Sequence, residues 1–240
     1  MEPAPASVLP TPPPTSAART ADTASALLSA GGLGLYDQNR WVWRQLDLHI
    51  APGERVAITG ISGSGKTALL RALAGLVPVS EGVIAYESRA LQNWSMPDYR
   101  SQVGYLPQRP ELGDGDTVEA VLNAPFAYRA HRRQHYPEAQ MRDALRMIGR
   151  DESFLQRRIE SLSGGEQQIT ALLRLLALQP RLLLLDEPTA SLDRHVSRAV
   201  ETLLNAWRDE DRNRAWLWVG HDAEQAARMS ERQIMLGLTP

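Results

Sequence analysis

The stretch Arg55-Val-Ala-Ile-Thr59-Gly60-Ile61-Ser62-Gly63-Ser64-Gly65-Lys66-Thr67 decides how the rest of the chain reads. A short run of β-formers, Arg55–Thr59, leads straight into a glycine and serine loop, and the apolar spacing of Ala68–Leu76 then predicts a helix. Strand, glycine-rich turn and helix in that order make a cradle for phosphate. Small residues let backbone N–H groups turn inward, and the helix N-terminus adds a partial positive charge. Gly60-x-x-x-x-Gly65-Lys66-Thr67 fills every fixed position of the Walker A pattern. In that chemistry the backbone of Gly60, Ile61, Ser62, Gly63, Ser64 and Gly65 wraps the phosphates of a nucleotide. Lys66 neutralises their charge, and the Thr67 hydroxyl is offered to Mg2+.

A second stretch, Leu182-Leu-Leu-Leu-Asp186-Glu187-Pro188, is an apolar run ending in two carboxylates. Such a run is typical of a strand buried on both faces of a parallel sheet. Asp186 at its tip is suited to bind Mg2+, and Glu187, one residue further, to polarise an attacking water. The bland alternative is a strand-to-loop transition with solvated acids.

The remaining pattern alternates strands with helices and implies an α/β core. Strands are predicted at Leu46–Ile50, Val83–Tyr86, Val103–Leu106, Trp216–Val219 and Ile234–Leu236. Helices are predicted over Arg194–Trp207 and Ala223–Met229, and from an N-cap at Ser163 to about Leu178. Residues 115–178 are helix-rich and read as an insertion, with Thr117–Leu122 and Pro137–Ile148 as its first helices. Residues 1–29 differ: six of the sixteen prolines fall in the first fourteen positions. That composition buries too little apolar surface to offset ordering, so it predicts a disordered tail before a domain at 30–240.

Composition narrows the classes. At 240 residues and 43% apolar content the chain supports one substantial core. A formal charge of −2 gives no basic excess of the kind that points to nucleic acid. No cysteine is present, which excludes disulfides, thiolate metal sites and cysteine nucleophiles. The longest apolar stretches are Leu182–Leu185 and Ala171–Leu178, well short of the roughly 18 residues that a membrane span needs. The N-terminus lacks the basic start and apolar centre of a secretory signal. Work at a membrane therefore calls for a separate subunit.

Leu162-Ser163-Gly164-Gly165-Glu166 lies about a hundred residues after the phosphate loop. Ser163 and the N–H groups of Gly164 and Gly165 open a predicted helix, which makes a second anion site. Tyr36 precedes the loop, Gln108 stands in Leu106-Pro107-Gln108, Ser191-Leu192-Asp193 follows the acidic pair, and His221 stands in Val219-Gly220-His221-Asp222. In this order the motifs resemble those of the ATP-binding cassette (ABC) family over about residues 32–240. The resemblance implies an α/β P-loop NTPase core, mainly parallel, with an antiparallel β region and an inserted helical subdomain. It implies ATP and Mg2+ as cofactors, with Tyr36 stacking on adenine and Gln108 sensing metal and the membrane subunit. His221 would contact the γ-phosphate, and Asp193 would belong to the D-loop. Glu187, His221, Lys66 and Gln108 would form the catalytic set, and Thr67, Gln108 and Asp186 the metal set. Ser163, Gly164 and Gly165 would complete an ATP site on a second cassette, the two pairing head to tail. The partners implied are that second cassette and a transmembrane permease, with the chain peripheral on the cytoplasmic face of the cell membrane.

Bland readings stand beside these. Trp41 and Trp43 rival Tyr36, and Gln108 or His221 alone would be an ordinary loop residue. Within the family the compact cassette most resembles the Fet-type iron exporters, through Asn123-Ala-Pro-Phe126 and a short middle region. Three positions depart from the family pattern: Glu166 for glutamine, Ile169 for arginine and Gly220 for threonine or serine. Glu166 adds negative charge near the expected nucleotide. His131 and His135 are spaced like helical metal ligands, but Arg129, Arg132 and Arg133 around them favour a solvated or subunit-facing basic surface. Trp207, Trp216 and Trp218 read as core residues. The rival functions are a non-transport mechanochemical ABC protein and an inactive regulatory cassette. The first would carry sustained heptads or a second cassette in the chain, and neither is seen.

Overall fold

The structure, a computed structural model, describes residues 26–113 and 116–237. The chain opens with two antiparallel strands, β1 (Leu28–Asp37) and β2 (Arg40–Ile50), followed by β3 (Arg55–Thr59) and helix α1 (Lys66–Leu73). Next come β4 (Glu81–Tyr86), β5 (Arg89–Ala90), α2 (Met96–Gln102) and β6 (Val103–Leu106). The inserted segment holds α3 (Val118–Asn123), α4 (Glu138–Met147) and α5 (Gly164–Ala177). The chain then returns through β7 (Leu182–Asp186), α6 (Arg194–Glu210), β8 (Ala215–Val219), α7 (Ala223–Met229) and β9 (Arg232–Met235).

Two sheets result. One is antiparallel, in the order β2-β1-β4-β5; the other is wholly parallel, in the order β6-β7-β8-β3-β9. Both faces of the parallel sheet are buried, and its side chains sort by the period-2 rule of a strand. Val56, Ile58, Leu182, Leu184, Leu217 and Val219 join one apolar cluster with α1 and the antiparallel strands. Ala57, Leu183, Leu185, Trp216 and Trp218 join the other, with α3 to α6. The inserted helices therefore have no separate core: they close one face of the central sheet.

Trp207, Trp216 and Trp218 are buried, as expected for core residues. The Trp216 indole N–H also donates to the Met229 carbonyl at 2.6 Å, joining β8 to the end of α7.

Three expectations need correction. The tail boundary at 29 is too late: Leu27 and Leu28 are buried, Leu27 N–H donates to Ile50 O at 2.7 Å, and β1 starts at Leu28. Its three glycines, Gly31, Gly32 and Gly34, hide the strand from propensity, and they accompany register shifts against β2. The rest of the tail, residues 1–25, lies outside the described residues. The insertion is less helical than predicted, because short 3-10 turns such as Ala124–Ala127 and Glu152–Gln156 separate its helices. His131 is buried rather than solvated, sits in a 3-10 turn and has its Nδ1 3.2 Å from Gln134 Oε1, while His135 is exposed.

Replacing Trp216 with Phe removes the indole donor and leaves the Met229 carbonyl unpaired. The expected loss is about 2 kcal/mol, read as a lower urea midpoint at unchanged slope.

Candidate functional site

In a parallel sheet all strands end at the same edge. The C-terminal ends of β3, β6, β7 and β8 deliver, in turn, the glycine loop, Gln108, the Asp186-Glu187 pair and His221. Gly60 leaves β3 at φ 145°, where a β-carbon would lie 2.4 Å from the Leu236 carbonyl oxygen. Only glycine allows the loop to turn there. Lys66, at the start of α1, is 7% exposed, and its Nζ donates to the carbonyls of Gly60 at 2.8 Å and Ile61 at 2.9 Å. Ser64 is buried with its hydroxyl unpartnered, while Ile61 is exposed.

Thr67 Oγ1 donates to Asp186 Oδ1 at 3.1 Å, and Tyr105 OH donates to Asp186 Oδ2 at 3.2 Å. Asp186 is 1% exposed. Burial raises its pKa above the usual carboxylate value, only partly opposed by the Thr67 and Tyr105 hydrogen bonds. Burial likewise pushes Tyr105 up to about 12, although Arg71 donates to it.

Glu187 sits at φ 49°, held by its N–H on Val219 O at 2.9 Å. Its carboxylate lies between two groups: Gln108 Nε2 at 2.9 Å from Oε2 and His221 Nε2 at 2.7 Å from Oε1. Both partners face a cleft of about 810 Å³, lined also by Tyr36, Ser62, Gly63, Gly65, Lys66 and Thr67. Tyr36 is 49% exposed on the cleft wall. Of its rivals, Trp43 is buried, and Trp41 packs edge-on against Tyr36 at 5.2 Å with Arg44 over its ring. Neither tryptophan lines the cleft.

Ser163, Gly164, Gly165 and Asp193 are not brought to this cleft. Ser163 caps α5 in a reciprocal box with Glu166: Ser163 Oγ accepts from Glu166 N–H at 3.3 Å, and Glu166 Oε2 accepts from Ser163 N–H at 2.9 Å. Gly165 lies against Ser191, where a β-carbon would come 2.8 Å from its carbonyl oxygen. Asp193 caps α6 through Val196 N–H at 2.9 Å. The added charge of Glu166 is balanced locally, because Arg157 pairs with it and Arg150 Nη1 lies 3.7 Å away. Burial pushes the Glu166 pKa up, yet the hydrogen bonds from Ser163 and Arg157 together outweigh it, and the net shift is downward.

The other two departures from the family pattern also have physical causes. Ile169 is buried in the core shared with the central sheet. Gly220 has no room for a side chain, since a β-carbon would meet the Trp218 indole nitrogen at 2.8 Å.

Sequence reasoning missed Arg71 and Tyr105. Arg71 lines the cleft one helical turn after Thr67, a spacing that points to the same face of α1. Tyr105 carried no such signal, because its hydroxyl reaches Asp186 only once β6 and β7 pair.

A glycine loop, a threonine facing an aspartate on the neighbouring strand tip, and a glutamate clasped by amide and imidazole are the architecture of a P-loop nucleoside triphosphatase. Comparison with known proteins narrows the class: the ABC transporter family model matches residues 43–190, and the chain belongs to that family. The haemin import ATP-binding protein HmuV of Streptomyces coelicolor is 37% identical over 233 residues, covering 95% of this chain and 79% of the relative. The probable iron export ATP-binding protein FetA of Escherichia coli is 34% identical over 201 residues, covering 84% and 87%. A dimeric ATP-binding cassette in a post-hydrolysis state with ADP and Pi superposes with a TM-score of 0.75 at 26% identity, covering 89% of this chain and 97% of that one. The chain is thus an ATP-binding ABC transporter subunit, an ATPase whose hydrolysis is coupled to transport, and its homologues are import and export subunits that work with transmembrane permeases.

Two stability outcomes follow from the charges. Asp186 has a raised folded pKa, so its contribution is favourable at low pH and is lost as pH rises through that pKa. Asp186→Asn is therefore expected to raise the thermal midpoint at pH 8, with the gain vanishing in acid. Glu166 has a lowered folded pKa, so its contribution is present above the unfolded carboxylate range and lost as pH falls through the folded value. Glu166→Gln is expected to cost about 1 kcal/mol at neutral pH and progressively less in acid, by denaturant titration.

Proposed function

We propose that this cassette hydrolyses Mg-ATP at a site completed by a second copy of itself, and so drives a separately encoded permease for iron or an iron-bearing cargo. The observation that carries the reading is the clasp on Glu187. A carboxylate at the lip of a phosphate cleft, held by Gln108 and His221, is placed to accept a proton from an attacking water. In this assignment Glu187 is the general base, Lys66 and His221 offset charge on the transferred phosphoryl group, and Gln108 orients the water. Tyr36 stacks on adenine. The backbone from Gly60 to Gly65 holds the phosphates.

The donor set fits Mg2+. The Thr67 hydroxyl, the Asp186 carboxylate and the Gln108 carboxamide are hard oxygen ligands, and Mg2+ shared with phosphates needs only one or two from protein. No group of three or more His, Cys, Asp or Glu suited to a metal occurs among the described residues, which fits an ion held mainly by nucleotide and water. A bound cation would also favour the ionised form of buried Asp186. When bound, Mg2+ would supply charge neutralisation between the phosphates.

Pairing is supported by where the second anion site lies. Ser163 and the N-terminus of α5 stand outside the chain's own cleft, free to meet the nucleotide of a partner. Asp193, beside Ser191 and Leu192 that pack on Gly165, belongs to the same face. No helix among the described residues is long and apolar enough to cross a membrane, so attachment on the cytoplasmic face would run through the permease. Relatives named for haemin import and iron export support an iron-bearing cargo, as do the Asn123–Phe126 stretch and the short middle region.

Glu187→Gln is expected to lower steady-state ATPase by about 10²-fold or more while ATP binding persists and a dimer accumulates on size-exclusion chromatography. Retained turnover in this variant would remove Glu187 as base. A wild-type rate per molecule that is flat across protein concentration, with no ATP-dependent dimer, would remove the shared site.

A further inference from the structure

Glu187 and His221 line not one cavity but two. Besides the nucleotide cleft they border a second cavity of about 770 Å³, between the segment after β7 and the helices α6 and α7. Its wall contains a carboxylate that the chemistry above does not use. Glu201, on α6, is 6% exposed. Burying such a charge costs several kcal/mol unless it is fully paired. Here it is: Arg228 donates from Nε to Oε2 at 3.1 Å and from Nη2 to Oε1 at 3.0 Å, and Arg198 Nη1 donates to Oε2 at 3.1 Å. The remaining donor is Gln225 Nε2, 2.9 Å from Oε1.

The other end of the Gln225 carboxamide accepts from Thr189 Oγ1 at 3.1 Å. Both residues are buried. Thr189 lies two residues after Glu187, and Gln225 four residues after His221. A carboxamide carries donor and acceptor on one tip, so it can bridge a hydroxyl and a carboxylate. A glutamate would face Glu201 with like charge, and a leucine would take this acceptor from the Thr189 hydroxyl and one of four donors from Glu201.

This bridge matters because the sheet alone does not fix His221. Glu187 is tied to the ladder by its N–H on Val219 O, but past Val219 the chain leaves β8 at Gly220. From there its path is set by α7, whose first turn is anchored at Asp222 Oδ1 by the N–H groups of Glu224 at 2.8 Å and Gln225 at 3.1 Å. Further along, α7 is tied down by the Trp216 bond to Met229 O and by Arg228 on Glu201, while Gln225 is the contact from its first turn to the loop after Glu187.

We propose that Gln225 is a positioning residue for ATP hydrolysis: by joining Thr189 to Glu201 it locks the loop that follows Glu187 against the helix that follows His221, and so maintains the contact between those two side chains. The proposal rests on the reading of Glu187 and His221 as the hydrolytic pair.

The test uses the full chain, with Gln225→Leu, Thr189→Val and Thr189→Ser compared by steady-state ATPase, by Mg-ATP binding and by the imidazole NMR signals of His221. Misplacing a reacting group by a fraction of an ångström to one ångström costs on the order of 10- to 100-fold in rate. Gln225→Leu and Thr189→Val are expected to lower kcat about tenfold, with KM for ATP changed less than about twofold and the double variant no worse than the worse single one. Thr189→Ser, which keeps the hydroxyl, should restore the rate. The His221 ring signals should move in Gln225→Leu while those of the other four histidines stay, a readout that needs no turnover. Wild-type kcat and unmoved His221 signals in both Gln225→Leu and Thr189→Val would overturn the proposal, whatever happens to the melting temperature. If Gln225→Leu fails to fold, Thr189→Val decides, since it removes one hydroxyl at constant shape. Glu187→Gln run in parallel separates the two levels: turnover surviving there defeats the hydrolytic reading itself, whereas turnover lost there but retained in Gln225→Leu defeats only this one.

Discussion

Parallel pairing of β3, β6, β7 and β8 is the constraint on which the rest of the molecule depends. Parallel strands all finish at one edge, so four segments far apart in the chain deliver their next residues to a single line. Such a sheet is stable only if both faces are covered, because neither has a polar side to show to water. The antiparallel strands with α1 cover one face, and the inserted helices with α6 cover the other. Anything that loosens either cover also moves the edge where the chemistry sits. This links the helical insertion to the site even though none of its residues lines the nucleotide cleft.

The site itself departs from the rule that charges stay in water. Lys66, Asp186 and Glu201 are all nearly enclosed. Each is satisfied differently: Lys66 by loop carbonyls, Asp186 by two hydroxyls and Glu201 by two arginines and an amide. Asp186 has hydroxyls alone, and there burial wins and the pKa rises. Glu201 goes the other way, since the hydrogen bonds of Arg228, Gln225 and Arg198 together outweigh its burial. The contrast separates a carboxylate suited to meeting a cation from one that serves as internal scaffolding.

Departures from the family pattern turn out to be local adjustments. Glu166 answers to Arg157 and Arg150, and Gly220 makes room for the Trp218 ring. Glu166 lies away from the clasp around Glu187, while Gly220 leads directly into its His221 arm without removing either of the contacts on Glu187.

The sequence by itself determined the α/β class, most strand and helix positions and the residues of the phosphate loop and acidic pair. These rest on short-range physics: period-2 and helical apolar spacing, glycine where a turn is tight, and carboxylates at the end of an apolar strand. It failed where local and tertiary signals part. The glycine-rich β1 has weak propensity and is held as an interior strand by β2 and β4, and that pairing carried the domain boundary back past residue 29. His131 reads as solvated among arginines and is buried by the folding of its turn. Only the tertiary structure decided that Tyr36 rather than Trp41 or Trp43 faces the cleft, that Tyr105 reaches Asp186, and that Gln225 bridges Thr189 to Glu201. Those contacts join residues 24 to 81 positions apart. Hydrogen bonds at such separations leave no periodic trace in a sequence, because they exist only after the sheet has set its order.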